Sequence, residues 1–196
     1  MATLMVSSFL LLFLCCAACA TTSTLVTSSE QGNEYLISSH IVSHAALEKQ
    51  SHFRFYWHDM ISGPNQTAVS VAQAPQFNKS STFFSDVFVL DDPLRTGPKK
   101  NSKLVGKAQG IYVAAGLNKL ELLMAMNFVF TDGEYNGSTI SILGHNEVFT
   151  TVREMPIVGG SGLFRFARGY VQLRTYLFNQ KIGYAVVEYN VFVNHY

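Results

Sequence analysis

Alternation of apolar and polar residues with a period of two runs through most of this chain. In residues 52–59, for example, Phe53, Phe55 and Trp57 fall on one face and the residues between them fall on the other. Residues 119–130 are the clearest case, because six successive even-numbered positions are all apolar. A helix would spread those side chains around its circumference, whereas a strand places them on one side. The pattern therefore predicts β-strands.

Short connections rich in glycine, asparagine and aspartate separate the strand-like runs, as in antiparallel hairpins. The predicted strands cover residues 52–59, 67–74, 104–115, 119–130, 138–144, 148–155, 164–178 and 183–195. Residues 76–103 are interpreted as a long loop with one short strand-like patch at 87–90, and residues 159–162 as a turn. About eight strands without crossover helices predict an all-β fold, either an up-and-down barrel or a sandwich. The length of the last two strands favours the barrel, because tilted strands in a closed sheet accommodate length.

Two of the predicted strands, 104–115 and 183–195, are apolar on both faces. One face of a barrel strand lines the interior, so the second face must be covered by something else. Contact with a second copy of the chain explains this coverage, and an overlying loop explains it too. A homo-oligomer is the prediction, with the loop as the alternative.

The first twenty residues carry no charged side chain and form an apolar run too short to span a bilayer. The run ends at 18–20 in alanine, cysteine and alanine, the small-x-small pattern of a signal-peptide cleavage site. We therefore predict a signal peptide over 1–20 and a secreted protein; a buried N-terminal helix is the alternative. Residues 21–50 are rich in serine and threonine, which predicts a flexible segment with a short helical stretch around 41–49. The folded domain is then 51–196.

Composition narrows the classes of partner. Charged residues make up 14% of the chain and the formal net charge is +1, so the positive face that nucleic acid needs is not predicted. All three cysteines (Cys15, Cys16 and Cys19) lie in the predicted signal peptide, so the mature chain would have no disulfide and no reactive thiol. No metal site is predicted, because His52 and His58 share a strand face but are about 20 Å apart. Once the signal peptide is removed, no membrane anchor is expected either.

Three Asn-x-Ser/Thr triplets follow the predicted signal peptide, and they begin at Asn65, Asn78 and Asn136. In a secreted chain such triplets are acceptors for N-linked glycans. We therefore expect a glycoprotein.

Seven short stretches of the chain, in order, resemble the plant dirigent family. They are 55–59 (FYWHD), 63–69 (GPNQTAV), 106–112 (GKAQGIY), 135–139 (YNGST), 152–156 (VREMP), 159–162 with 167–170 (GGSG and ARGY), and 187–191 (VEYNV). One such stretch alone is weak evidence for the family, but seven in the same order are specific evidence. Together they span residues from about 54 to the C-terminus. The resemblance implies an eight-stranded antiparallel up-and-down β-barrel of the allene oxide cyclase-like, calycin-like kind. It also implies a homotrimer secreted to the apoplast.

The resemblance further implies a small phenolic substrate or radical and no cofactor. A separate laccase or peroxidase would make phenoxyl radicals of a monolignol such as coniferyl alcohol, and the barrel would fix the faces that couple, giving an optically active lignan. A related subgroup, the pterocarpan synthases, are lyases that dehydrate an isoflavanol through a quinone methide. Stereoselective coupling is the first hypothesis and dehydration the alternative. A non-catalytic wall or defence protein is the third.

Two charged residues are the candidates for catalysis. Asp59 shares a strand face with the aromatic residues that precede it, where burial would raise its pKa and suit it to proton exchange with a phenol or quinone methide. The alternative is a strand-end aspartate that caps the following turn; the resemblance implies a pocket acid. Arg153 is the only charge on its strand face, and its guanidinium could hold a phenolate. The alternative is an ion pair with Glu154 or a charge at the rim.

Three further positions are implied by the resemblance as substrate-binding. Tyr112 and Thr175 match family pocket positions that hydrogen-bond the substrate. Without the resemblance, both would be interpreted as side chains that only fill the barrel interior. Lignan-forming members carry an aspartate seven residues before the pocket arginine, where this chain has Asn146. An amide cannot transfer a proton, so this difference weakens a two-carboxylate mechanism and keeps the dehydration hypothesis open.

Overall fold

A computed structural model describes residues 36–41, 48–75 and 79–196. The predicted signal peptide, 1–20, and most of the predicted flexible segment, 21–50, lie outside the described residues. No helix in the described ranges is long and apolar enough to cross a membrane.

The described residues form ten β-strands. They are β1 Leu36–Ile41, β2 Lys49–Met60, β3 Ala68–Ala72, β4 Val87–Arg95, β5 Leu104–Ala114, β6 Glu121–Phe130, β7 Thr139–Glu147, β8 Arg153–Ser161, β9 Arg168–Asn179 and β10 Tyr184–His195. Two short 3₁₀-helices, Gly162–Phe164 and Gln180–Ile182, flank β9. Hairpin connections join β4 through β10 in chain order, as the short polar turns in the sequence predict.

Eight of these strands close into a barrel. Their order is β2-β10-β9-β8-β7-β6-β5-β4, and each neighbouring pair is antiparallel. The ring closes where β2 pairs with β4, with Tyr56 opposite Arg95 and Trp57 opposite Leu94. β1 pairs with the first part of β2, and β3 pairs with the first part of β4. The predicted eight-stranded antiparallel β-barrel is confirmed.

β4 is longer than the sequence predicted, since it runs through Arg95 rather than forming a short patch in a loop. Two aspartates and a proline at 91–93 hid the strand, because these residue types are uncommon inside strands. Pro93 is tolerated because it lies between two pairings of β4, the one with β3 that ends at Leu90 and the one with β2 that starts at Leu94.

The structure also differs from prediction before the domain boundary at residue 51. The segment predicted to be flexible, 21–50, contains β1 and the start of β2. Both Ile41 and Lys49 lie in strands and pair with each other, so the ends of the predicted helical stretch are extended. Residues 42–47 lie outside the described part of the chain.

The glycine-rich residues 159–162, predicted as a turn, lie mostly within β8, and the strand predicted at 148–155 begins only at Arg153. Gly160 pairs with β7 in the sheet. A Cβ at this position would lie 2.4 Å from the backbone oxygen of Thr139. The glycine therefore permits close approach of two strands rather than a reversal of the chain.

One end of the barrel interior, the packed end, is filled by aromatic side chains. The fully buried ones are Phe53, Phe55, Phe128, Phe130, Tyr135 and Phe164. Phe53 packs edge-on against Tyr135, with 5.0 Å between ring centroids, and Phe55 packs edge-on against Phe128 at the same separation. Such contacts add to the stabilisation that burial of the rings provides.

Polar groups at the packed end are paired with one another. Nδ1–H of His195 donates to the Leu163 carbonyl over 3.0 Å, so Nε2 accepts from the Ser51 hydroxyl, 2.9 Å away. The Lys49 ammonium donates to the Tyr135 hydroxyl over 2.9 Å. This end is filled by side chains, and these polar groups are hydrogen-bonded.

Candidate active site

The opposite end of the barrel interior, the cavity end, holds a cavity of about 230 Å³. Its walls are mostly apolar and include Trp57, Phe88 and Val187. The polar side chains that line it include Asp59, Asp86, Tyr112, Asn146, Arg153 and Thr175. The structure therefore brings together five residues predicted from the sequence as catalytic or substrate-binding, and adds Asp86.

Asp59 reaches the cavity because β2 alternates without interruption. Every second residue of this strand from Ser51 points inward and is buried, and Asp59 is the last of them. Its Oδ2 accepts a hydrogen bond from the Tyr112 hydroxyl over 3.3 Å, while Oδ1 has no partner among the described residues. Burial raises the pKa of Asp59 to about 7, against a smaller opposite effect of the Tyr112 bond. The carboxyl can thus give or take a proton near neutral pH.

Tyr112 is held in place by two aromatic neighbours. It lies on β5 directly opposite Phe88 of β4, and the two rings stack with 4.8 Å between centroids. Trp57 meets the Tyr112 ring edge-on at 6.5 Å. Burial, and secondarily the Asp59 carboxyl, raises the pKa of Tyr112 far above its usual value. Tyr112 is therefore a neutral donor that orients Asp59.

Arg153 is the first residue of β8 and points inward, where it is buried. Nε donates to Oδ1 of Asn146 over 3.1 Å, and Nη1 donates to Oγ1 of Thr175 over 2.9 Å and to the Thr150 carbonyl over 3.2 Å. Burial lowers the pKa of Arg153, but a guanidinium starts so far above neutral that it stays charged. None of these bonds uses Nη2, which leaves that group for a ligand.

The partners of Arg153 in the described part of the chain carry no negative charge. Glu154, the alternative partner considered from the sequence, is exposed and accepts a bond from Gln172 over 3.4 Å. Asn146 and Thr175 fix the guanidinium by neutral hydrogen bonds. Its positive charge is therefore available to an anionic group in the cavity.

Sequence reasoning missed the buried carboxyl of Asp92. Neither of its oxygens makes a hydrogen bond of normal geometry within the described residues, although Thr67 and Trp57 are near enough to affect it. Burial, followed by the charge of Asp59, raises the pKa of Asp92 to about 8. Leu90, Asp92 and Leu94 occupy alternate positions, which is the pattern of one strand face. The interpretation of this segment as a loop concealed that pattern.

Asp86 was missed for the same reason. It lies just before β4, is buried, and lines the cavity. It accepts hydrogen bonds from the Ser70 hydroxyl and from Nε2 of Gln73, the latter over 3.1 Å. Unlike Asp92, it is fully supplied with donors, which makes it part of the cavity wall rather than a candidate acid.

Neither Asn65 nor Asn136 is among the residues that line the cavity. Asn65 and Asn136 are exposed, and Asn78 lies outside the described residues. Glycosylation at these positions stays a prediction. Among the described residues, no group of three or more histidine, cysteine, aspartate or glutamate side chains could hold a metal ion.

The fold and the site define a class of protein: a closed antiparallel β-barrel with an internal cavity that presents a carboxylic acid and a guanidinium. A family model described as "Dirigent-like protein" matches residues 50–194. The chain therefore belongs to the dirigent family, as the resemblance in its sequence predicted.

Individual relatives agree with this assignment. The chain is 57% identical over 149 residues to Dirigent protein 7 of Arabidopsis thaliana. The aligned region covers 76% of this chain and 78% of the relative. It is 50% identical over 150 residues to Pterocarpan synthase 1 of Glycine max, covering 76% and 81% of the two chains. A solved structure of a pterocarpan synthase dirigent protein superposes with a TM-score of 0.72 at 49% identity, covering 76% of this chain and 86% of that one.

Proposed function

We propose that this protein removes water from a phenolic alcohol of the isoflavanol class through a quinone methide. The observation that carries the proposal is the buried carboxyl of Asp59, which holds a proton near neutral pH in the same apolar cavity as the Arg153 guanidinium. Similarity to proteins named pterocarpan synthases supports the same reaction class. The order of the two hypotheses drawn from the sequence is thereby reversed.

The reaction begins with proton transfer from Asp59 to the leaving hydroxyl. The C–O bond breaks and its electron pair leaves with water. The substrate's ring phenol then loses its proton, which forms the quinone methide and makes up for the proton that Asp59 gave. A second phenolic oxygen of the same molecule adds to the methide carbon, and its proton replaces the one lost from the ring phenol. Only water is lost overall.

Arg153 would hold the phenol oxygen while negative charge develops on it. A preorganised hydrogen-bond donor stabilises a developing charge far more in a site of low dielectric than the same donor does in water. The neutral side chains of Asn146 and Thr175 leave the guanidinium charge uncompensated, which favours this role over a structural ion pair. The aspartate of lignan-forming members at position 146 would neutralise that charge.

Stereoselective coupling of monolignol radicals is the second candidate. The aromatic side chains of Trp57, Phe88 and Tyr112 give the cavity flat faces that can stack on a planar conjugated radical. In that case a separate laccase or peroxidase would supply the radicals, and the same acid and guanidinium would act on the bis-quinone methide that forms.

We further propose that the mature protein is secreted to the apoplast as a homotrimer. The apolar, uncharged residues 1–20 support secretion, and the exposed Asn65 and Asn136 are accessible to glycosylation. Exposed apolar side chains on the outer face of neighbouring strands, such as Val89, Ile111 and Leu143, support contact with further copies.

Two assays on the purified secreted protein test these candidates. In the first, an isoflavanol is incubated with the protein and no oxidant, and the products are separated by chiral chromatography. In the second, coniferyl alcohol and laccase are incubated with and without the protein. We expect a single enantiomer of the cyclised product in the first assay, and racemic lignans in the second.

Matched variants make the first assay specific for the site. Asp59→Asn keeps the size of the side chain but removes the acid, and should lower the rate by about 10²–10⁴-fold, the usual contribution of a general acid. Glu154→Gln removes a carboxyl of similar kind from the exposed face and should leave the rate unchanged. A wild-type protein that produces no cyclised product, or an unchanged Asp59→Asn variant, would overturn the proposal. Optically active lignans in the second assay would establish the second candidate.

A further inference from the structure

Asp92 is a buried carboxyl that the proposed reaction does not yet use. It lies on β4 between Leu90 and Leu94, and all three side chains are buried. Neither carboxyl oxygen has a hydrogen-bond partner of normal geometry among the described residues. An ionised carboxylate without a partner is very costly in such surroundings, so Asp92 must retain its proton or share one.

The register that closes the barrel sets Asp92 opposite Asp59. β2 and β4 are antiparallel at this seam, with Trp57 opposite Leu94. Continuing the same register by two residues places Asp59 across from Asp92. Asp59 then points inward like Trp57, and Asp92 points inward like Leu94, because side chains two apart on a strand point the same way.

The two strands separate at this point around the backbone of Thr67. Its N–H donates to the Met60 carbonyl and its carbonyl accepts from the N–H of Asp91, each over 2.8 Å. The backbone of Thr67 thus fixes both strands immediately beside the two carboxyls. The space between Asp59 and Asp92 is set by main-chain hydrogen bonds rather than by mobile side chains.

The neutral donors around the two carboxyls do not offset their burial: the side chains of Thr67 and Trp57 lower the pKa of Asp92, but by less than burial and the charge of Asp59 raise it. On β5, Tyr112 has one hydroxyl hydrogen and donates it to Asp59. On β10, the buried Tyr189 stays neutral and interacts with both carboxyls and with Arg153. On β4 itself, the outward-facing Asp91 adds negative charge. Two adjacent carboxyls in this setting titrate as a pair and retain at least one proton near neutral pH.

We propose that Asp92 is a positioning residue that shares a proton with Asp59 and so keeps Asp59 able to act as an acid. The inference rests on the proposed dehydration. Asp59 gives the shared proton to the leaving hydroxyl as the substrate's phenol releases its own proton toward the pair, so the two carboxyls keep one proton between them. The second carboxyl of the site thus comes from β4 and not from position 146.

The pH profile of dehydration tests this role. In the wild type, activity should decline over a broad range that reaches about pH 8, because the last shared proton is lost late. Asp92→Asn should change the rate at pH 6 by less than about twofold, yet lower it about tenfold near pH 8, because Asp59 then loses its only proton in one step. Glu154→Gln, a control that removes a carboxyl from the exposed face of β8, should keep the wild-type profile. An equal loss at both pH values would show a merely structural role and overturn the proposal.

Titration of the carboxyl carbons by ¹³C NMR separates this proposal from the proposed function, because it needs no substrate. In the wild type, the Asp59 and Asp92 signals should each move in two steps, and in Asp92→Asn the Asp59 signal should move in one. If the variant fails to fold, the wild-type titration alone decides. Independent titration of Asp92 below pH 5 would overturn proton sharing. Coupled titration in a protein that dehydrates nothing would support the shared proton and refute the proposed function.

Discussion

At one end of β2 the Ser51 hydroxyl is hydrogen-bonded to His195, whereas at the other end the Asp59 carboxyl leaves Oδ1 without a partner in the described part of the chain. The same contrast separates the two ends of the barrel interior. The packed end pairs its polar groups with one another. Toward the cavity end, Nε1 of Trp57, the Tyr189 hydroxyl and both oxygens of Asp92 make no hydrogen bond of normal geometry among the described residues.

This contrast indicates which end is maintained for stability and which for chemistry. A buried polar group without a partner costs about 1–3 kcal/mol. The packed end avoids this cost, and its rings meet in edge-on and stacked contacts. The cavity end accepts it at several neighbouring groups. Local departures from good packing and hydrogen bonding are expected where function requires them.

The largest effect should come from opening the packed end. Phe53 is fully buried against Phe130, Tyr135 and Phe164. Replacing it with alanine removes these contacts and leaves a cavity, so Phe53→Ala should lower the free energy of unfolding by about 3–5 kcal/mol. Urea denaturation followed by tryptophan fluorescence measures the change.

A matched aromatic residue at the cavity end provides the control. Phe178 lines the cavity and is 46% exposed. Phe178→Ala should cost only about 1 kcal/mol, because nearly half of the area of this residue stays in water after folding. Equal losses of unfolding free energy in the two variants would contradict the division of the barrel interior into a packed end and a cavity end.

The second effect in size is the dependence of stability on pH that the two carboxyls impose. The folded-state pKa values of Asp59 and Asp92, about 7 and about 8, lie above the unfolded value of 3.8. The folded state therefore binds more protons between these limits, and stability is full below about pH 4 and is lost as pH rises through about 7 to 8. Asp92→Asn should be more stable than the wild type by on the order of 3 kcal/mol at pH 8, and by less at pH 5.

His195 at the packed end should act in the opposite direction. Burial lowers the pKa of His195 from its usual 6.5, so its contribution is present above that value and lost as pH falls. Urea midpoints across pH 5 to 8 should therefore show His195→Gln differing from the wild type in its acid-side slope, and Asp92→Asn in its alkaline-side slope. A wild type and Asp92→Asn variant with parallel pH profiles would contradict the raised pKa of the pair.

The inner face of β2 was predictable from the sequence because its pattern is local. Phe53, Phe55 and Trp57 alternate with polar residues, and the structure places Asp59 at the end of the same face. Strands β5, β6, β7, β9 and β10 were likewise predictable from the hairpin turns beside them, whereas the run predicted at 67–74 lies outside the ring and β4 takes its place. Both inferences depend only on neighbours along the chain.

The position of Asp92 was not predictable in the same way. Its strand was hidden by Pro93 and two aspartates, and its partner Asp59 lies on a strand that meets β4 only because the barrel closes there. Periodicity shows which face a residue occupies, but not which distant strand it meets. The arrangement of Arg153 with Asn146 and Thr175 has the same origin, since three separate strands supply the three side chains.

The smallest of the expected effects lies at Asn146, where one atom separates this site from the lignan-forming pattern. Asn146→Asp would place a carboxylate on Nε of Arg153, at the position of the present 3.1 Å hydrogen bond. Stability should change little, because desolvation of the new charge offsets its attraction to the guanidinium. Dehydration should fall about tenfold, the equivalent of about 1.4 kcal/mol in transition-state stabilisation, since the charge of Arg153 is then partly neutralised.

The same substitution on the outer surface serves as the control. Asn127 is exposed on β6 and accepts a hydrogen bond from the Ser141 hydroxyl over 2.7 Å, so Asn127→Asp adds an equal charge far from the cavity. Rates of isoflavanol dehydration, measured alongside the enantiomeric excess of lignans formed with laccase, should change for Asn146→Asp and stay constant for Asn127→Asp. If dehydration is unaffected in both variants, the reaction does not draw on the uncompensated charge of Arg153. If Asn146→Asp loses dehydration but gains enantiomeric excess in the lignans, the residue at position 146 selects between the two chemistries on one barrel.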